Sequence, residues 1–389
     1  MKLQRKIFMA IFCLFLVFLI HHKGIADDKK SAYQFTIDYE VNRTPVKSQG
    51  KTGTCWCFAT TSFIESELLR LGKGEFDLSE MFVVRHTYPR KAQNYVRLHG
   101  NATFGEGSLS HDVFNTVTRF GTVPEQLYPG MLIDEKRHNH GEMFAVLKAL
   151  LDAVLKVKGK LVTPKWTDAF ESILDAYLGN SPENFTYKGK QYTPISFFNQ
   201  VINLTLNNYI EFTSFTHHPF YDNIRLEVPD NWSYHNQYIN IPIDDMEEIV
   251  DHALKNGHSV VWDGDISEKE YATFKTGYAI VPEKNWDEKT PEQREQEITE
   301  PVAEKEITQE LRQKTFDNFS TTDDHLMHIV GIAHDQNGTK FYLAKDSWDT
   351  DGRYRGYIYL SRCYFRLKTI AIMLNKEALP LDMRQQLKL

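Results

Sequence analysis

A cysteine, a glutamine, a histidine and an aspartate in this chain are ordered and spaced for acyl transfer. In "VKSQGKTGTCWCFATTSF", residues 46–63, Cys55 follows a glycine-bearing turn and opens an apolar run with helical spacing. A helix N-terminus carries unpaired N–H groups and the positive end of the macrodipole. An anion is favoured there, and a thiolate nucleophile becomes available. Gly53 lets the backbone turn tightly before the helix. Gln49, six residues upstream, is placed to donate its side-chain amide to an oxyanion beside the backbone N–H of Cys55. Cys57 lies about 200° further round the same helix, so it is read as core rather than as a second reactive thiol.

A thiolate catalyst needs a base, and with 15 histidines only position can choose it. "HIVGIAHDQNGTKFYLAKDSW", which begins at His328, reads as a hairpin around "QNG". A two-residue Asn337-Gly338 loop would send His328 and Asp346 to opposite faces, because one step of register flips every side chain. A three-residue loop of Gln336, Asn337 and Gly338, with the glycine left-handed, sets His328 directly opposite Asp346. Side chains so paired are close enough to hydrogen-bond. The carboxylate then fixes the imidazole tautomer and leaves the other ring nitrogen for a thiol. His325 and His334 have no such partner in this register and read as loop and strand-end residues. The expected set is therefore Cys55 as nucleophile, His328 as base, Asp346 as orienter and Gln49 as oxyanion donor. Its chemistry is acyl transfer to water through a thioester.

The elements that must hold these residues divide the chain. Helical spacing predicts helices over 55–71, 79–98 with Ser79 as N-cap, 108–121, 142–158, 165–178 and 194–206. Residues 181–194 are turn-rich and read as a surface excursion. From about 207, β-branched and aromatic runs predict strands at "YIEFTSFTH", "HSVVWDGDI", "HLMHIVGIAH", "KFYLAKDSW", "RGYIYLSRCYF" and "TIAIMLN". A helix over 244–255, capped by Asp244, lies between the first two. Residues 285–316, dense in Glu, Lys and Gln, read as a solvated excursion with a short helix. The expected class is α+β: a helical lobe over about 45–206, a β-rich lobe over about 207–380, and a cleft between them.

Bulk properties narrow the function. The 389 residues suffice for a large core, and 25% charged with 13% aromatic residues is ordinary for a folded protein. The net charge is -7, with no basic run that would serve as a nucleic-acid footprint. Residues 1–26 join a basic start to an apolar run of 13 and end in "GIA", the layout of a secretory signal peptide cleaved before Asp27. The expectation is an exported protein, periplasmic or extracellular, with no stable membrane span once the signal is cut. Cleavage removes four positive charges (Lys2, Arg5, Lys6 and Lys23) and leaves the mature chain near -11. An odd set of Cys55, Cys57 and Cys363 then remains, which points to at least one free thiol. "THHP" at 216–219 lacks companions at ligand spacing, so no metal site and no cofactor is expected.

These stretches resemble the papain superfamily, and more closely its bleomycin hydrolase and aminopeptidase C branch. The resemblance is carried in order by "VKSQGKTGTCWCFA", "LSEMF", "FGEGSLSHDVFNTVTRFGTVPEQLYP", "YTPISFF", "IPIDDMEEIVDHALKNGHSVVWDGDIS", "DDHLMHIVGIA" and "KDSWDTDGRYRGYIYL". It implies a papain-like two-lobed fold and a cysteine peptidase acting on peptides, of aminopeptidase type. It implies Cys55 as nucleophile, Gln49 as oxyanion donor, His328 as base and Asp346 where the family usually has Asn. Trp348 would shield the His–Asp hydrogen bond, and Gly107 would offer backbone contacts to an extended substrate. Members of the branch often form hexameric rings and place their own C-terminal tail in the cleft, which here would be "LDMRQQLKL". Thr52 stands where papain-like enzymes usually carry a cysteine, so that disulfide is absent. Two rival readings are a transglutaminase-like acyl transferase, which shares a Cys-His-Asp set, and an inactive peptide-binding homologue.

Overall fold

The structure, a computed structural model, describes residues 31–133, 136–159, 161–267, 276–284, 288–295 and 298–389. The signal peptide read over 1–26 lies outside the described residues. The first strand, β1 (Thr36–Glu40), is followed by α1 (Cys55–Arg70), α2 (Glu80–Arg97), α3 (Ser110–Phe120), α4 (Gly141–Leu155) and α5 (Lys165–Leu178). The 181–194 excursion holds a small hairpin, β2 (Phe185–Tyr187) with β3 (Lys190–Tyr192), and α6 (Pro194–Phe197) comes next. The sheet-rich half then supplies β4 (Tyr209–Thr213), β5 (Asn223–Ile224), β6 (Tyr238–Asn240), α7 (Ile243–Lys255), β7 (Val260–Gly264) and β8 (Tyr278–Ala279). It ends with α8 (Pro291–Glu295), α9 (Gln309–Asp317), β9 (His325–His334), β10 (Lys340–Lys345), β11 (Tyr357–Ser361), α10 (Arg362–Lys368), β12 (Thr369–Asn375) and α11 (Leu381–Leu387).

Local chemistry explains most of these boundaries. Ser79 caps α2, its hydroxyl accepting from the Phe82 N–H at 3.0 Å. Asp244 does not cap α7; the helix starts one residue earlier at Ile243, after Pro242, and Asp244 lies in its first turn. "RGYIYLSRCYF" is a strand only as far as Ser361, whose hydroxyl caps α10 and turns the chain.

The main sheet has the order β5-β6-β4-β12-β7-β9-β10-β11-β8, and β1 pairs with β9 outside that path. Alternate residues of its central strands serve two cores. Val261, Leu326 and Met373 pack with Trp56 and Phe63 of α1. Val260, Trp262, Met327 and Ile372 pack on the other face with Met246, Ile249 and Val250 of α7. Helix α1 is buried along nearly its whole length, and its carboxylate Glu65 is paired: it accepts from Thr44 at 2.6 Å and Lys47 at 3.1 Å.

The C-terminal segment belongs to the α7 face. Met383 and Leu387 of α11, one helical turn apart, pack into the core that α7 covers. The expectation that this tail enters the active-site cleft is therefore corrected, because its apolar stripe docks it on the side of the sheet away from α1.

Candidate active site

Cys55 is the first residue of α1, and the earliest helix bonds run to the Thr54 carbonyl from the N–H groups of Cys57 and Phe58. The turn before it is held by close packing. Gly50 takes a left-handed φ of +64°, and a Cβ there would lie 2.4 Å from the His138 carbonyl oxygen. Gly53 has another reason to be glycine: a Cβ would meet that of Glu106 at 2.9 Å, while its N–H donates to the Glu106 carboxylate at 2.7 Å. Trp56 donates from its ring to the Glu106 carbonyl at 3.0 Å. Cys57 points into the core with its sulfur 3.3 Å from the Glu80 carbonyl, and burial pushes its thiol well up. Cys55, Cys57 and Cys363 are free thiols.

The imidazole paired with Asp346 is that of His325. Its Nε2 lies 2.8 Å from Asp346 Oδ1, with both side chains buried. That leaves Nδ1 free of Asp346, and Cys55 is the other group acting on the ring. Burial by itself lowers an imidazole, but Asp346 and then Cys55 outweigh it and push His325 up to about 10. Trp348 packs on this ring, centroids 5.0 Å apart.

His328, expected as the base, is placed elsewhere. The three-residue loop forms as expected, with Gly338 left-handed at +82°, and Lys340↔His334 through Leu343↔Gly331 keep the expected register. An irregularity between Leu343 and Ala344 then slips the pairing by one, so His328 lies opposite Lys345 instead of Asp346. Its Nδ1 lies 2.9 Å from Ser62 Oγ, which also accepts from Lys345 Nζ at 2.7 Å. Burial, with Lys345 and Arg43 nearby, holds the His328 imidazole well below the ordinary histidine value. The two spacings agree. Seven helical residues from Cys55 to Ser62 rise about 10 Å, and three strand residues from His325 to His328 rise about 10 Å. His325 therefore stands beside the helix start while His328 stands beside its body.

Ser347, which sequence reasoning passed over, ties the oxyanion candidate to this acid. Its carbonyl accepts from the Gln49 N–H at 2.6 Å, its hydroxyl donates to Gln49 Oε1 at 2.6 Å, and its own N–H donates to Asp346 Oδ1 at 2.6 Å. The Gln49 amide nitrogen donates one hydrogen to the Thr52 carbonyl at 2.7 Å, and an amide has a second to offer. Gly107 lies in the loop before α3, but its carbonyl already accepts from Lys91 Nζ.

Two groups among the described residues bring imidazoles and a carboxylate within 4.8 Å of one another: His111, Glu211 and His235, and His217, His218 and Glu227. The "THHP" histidines thus do have a companion, supplied by Glu227. In the buried group, burial alone would raise Glu211, but His111 and His235 hold it down at about 2. It behaves as an ion-paired link between α3 and β4.

A cysteine at the start of a buried helix, facing an imidazole held by an acid from an antiparallel sheet, defines a papain-like cysteine peptidase of α+β fold. The comparisons with known proteins agree. The Peptidase C1-like family matches residues 96–389 and the Papain family cysteine protease matches residues 33–147. The chain belongs to the Peptidase C1-like family. It is 20% identical over 411 residues to Aminopeptidase W of Lactobacillus delbrueckii subsp. lactis, covering 92% of this chain and 89% of the relative. To Aminopeptidase G of the same organism it is 19% identical over 392 residues, covering 90% and 84%. The crystal structure of PepW from Lactobacillus rhamnosis HN001 aligns with a TM-score of 0.68 at 17% identity, covering 91% of this chain and 84% of that one.

Proposed function

We propose that the protein is an exported cysteine aminopeptidase in which Cys55, His325 and Asp346 act together. The observation that carries this reading is the buried His325–Asp346 pair at 2.8 Å with Cys55 on the same ring. In the resting site His325 holds its proton, and the Cys55 sulfur beside it is the nucleophile. The sulfur attacks the peptide carbonyl, and the tetrahedral oxyanion is met by the Cys55 N–H and the Gln49 amide. As that intermediate collapses, the C–N bond breaks and His325 Nδ1 gives its proton to the leaving amine, leaving a thioester. His325 then takes a proton from water, the hydroxide attacks the thioester, and the carboxylic acid and the thiolate–imidazolium pair are released. No cofactor is required.

Aminopeptidase action is supported by the names of the two Lactobacillus relatives. Export is supported by the basic start and the apolar run within residues 1–26. The test is to label the purified protein with a thiol-directed peptide inhibitor and locate the adduct by mass spectrometry, with hydrolysis of free-amine peptides followed in parallel. Labelling at Cys55 with matching loss of hydrolysis is expected. Labelling elsewhere, or a wild type that binds peptides without turning them over, sinks the reading.

A further inference from the structure

Three carboxyl side chains from three distant segments converge beside the nucleophile, and the mechanism above uses none of them. Asp263 is the next-to-last residue of β7, Asp323 lies two residues before His325, and Asp230 comes from the turn between β5 and β6. Asp263 shares the α1-facing side of β7 with Val261 and lies one residue from the Gly264↔His325 pair, which places it at the His325 end of the site. Asp263 is 3% exposed; it and Asp323 are hydrogen-bond partners of one another, and no other donor among the described residues reaches either Asp263 oxygen or Asp323 Oδ2. The cation acting on Asp230 and Asp323 is Lys91, whose ammonium is already committed to the Gly107 carbonyl.

Such a cluster is costly when empty. Burial and mutual repulsion push Asp263 well up and Asp323 up to about 8, so at neutral pH the acids keep protons that a neighbouring cation would displace. Asp230 adds a steric element. Its carboxyl presses on Gly107, where a Cβ would lie 1.9 Å from Asp230 Oδ2. Asp230 thus closes the space over Gly107, in the loop that carries Glu106 against the turn before Cys55.

We propose that Asp263 and Asp323 bind the α-ammonium of the residue being released, and that Asp230 forms the wall that stops any chain extending beyond it. In a substrate whose first peptide bond is attacked, the α-amine lies about 2.5 Å from the reacting carbonyl carbon. It is therefore delivered next to the sulfur, toward the two acids that share a proton when no cation is present. A free amine supplies the missing positive charge and hydrogen-bond donors; an acetylated amine supplies neither charge nor room. The C-terminal segment is docked against α7, so it cannot fill this role. The inference rests on the peptidase reading and names its substrate class as peptides with a free N-terminus.

The test compares an aminoacyl arylamide with its N-acetyl counterpart in the full-length wild type, Asp263→Asn, Asp323→Asn and Asp230→Ala. Both Asn variants should raise KM for the free-amine substrate about tenfold or more with a smaller change in kcat, while iodoacetamide still labels Cys55. Asp230→Ala should gain cleavage of the N-acetyl substrate, a gain that misfolding does not produce. Unchanged free-amine preference in all three variants, with wild-type activity intact, overturns the anchor and leaves the peptidase reading standing. Loss of preference on chelation assigns the cluster to a metal ion and overturns the anchor likewise. A wild type inert toward both substrates, with Cys55 unreactive, overturns the peptidase reading and the anchor with it.

Discussion

Two histidines three residues apart on one strand, both buried, are driven to opposite protonation states. His325 at the start of β9 meets Asp346 and Cys55 and is held up at about 10. His328 within the strand meets Ser62, with Lys345 and Arg43 around it, and is held well below the ordinary value. Burial disfavours the charged ring in both places, so burial cannot be what separates them. The sign of the neighbouring charge is: Asp346 meets His325, whereas Lys345 lies opposite His328 with Arg43 nearby. The pair thus separates a ring held charged beside an acid from one held neutral as part of the packing.

The most drastic way to break the comparison is to remove each ring in turn. His325→Asn should lower kcat/KM by about 10³-fold or more, since base and acid are lost together. His328→Asn should leave kcat/KM within about threefold. Comparable losses in the two variants, with both folded by circular dichroism, would return the base role to doubt. A smaller and more selective change tests Asp346. Asp346→Asn keeps the shape of the hydrogen-bonding partner and removes the charge that does most to raise His325. Activity should survive, and the alkaline limb of kcat/KM should move down by about 1–3 pH units. An unmoved limb would mean that His325 does not govern it.

Much of this site could be read from residue order, and the remainder has a physical reason for being hidden. Cys55 was legible because a helix N-terminus is a local signal, and its rival Cys57 was separated by helical geometry alone. Asp346 came into view through the "QNG" register, but that register holds only for the first four pairs of the hairpin and slips before Asp346, which meets His325 instead of His328. The choice of His328 over His325 failed at the slip between Leu343 and Ala344, where β9 carries an extra residue, Val330, beside Gly331; a glycine inside a strand run was the local warning of such an irregularity. A weaker signal also existed: His328 sits inside the apolar run "LMHIVGIA", where burial on both sides disfavours charge, whereas His325 begins it. The change from helices to strands near residue 207 was read from β-branched and aromatic runs, but β1, which precedes the helices, joins the sheet through pairing with β9. The acids Asp230, Asp263 and Asp323 carry no sequence signature together, because only the folded chain brings their three segments to Cys55.

The finest test of the comparison reads the two rings through stability. His328 stays neutral when folded, while in the unfolded chain it takes up a proton below its ordinary value of about 6.5. The unfolded state then binds more protons, so this residue contributes stability that is present above about pH 6.5 and is lost as pH falls from there toward its depressed folded value. The limiting slope is about 1.4 kcal/mol per pH unit for one proton. His325 has the opposite sign: its contribution is complete below about 6.5 and is lost as pH rises through about 10. His328→Gln keeps a polar partner for Ser62 and cannot titrate. Urea unfolding at pH 7 and pH 5 should therefore show the variant losing less stability on acidification than the wild type, by about 1 kcal/mol or more. Equal losses would mean that the folded protein accepts a proton at His328 after all, and the contrast between the two rings would then be one of position without a difference in charge.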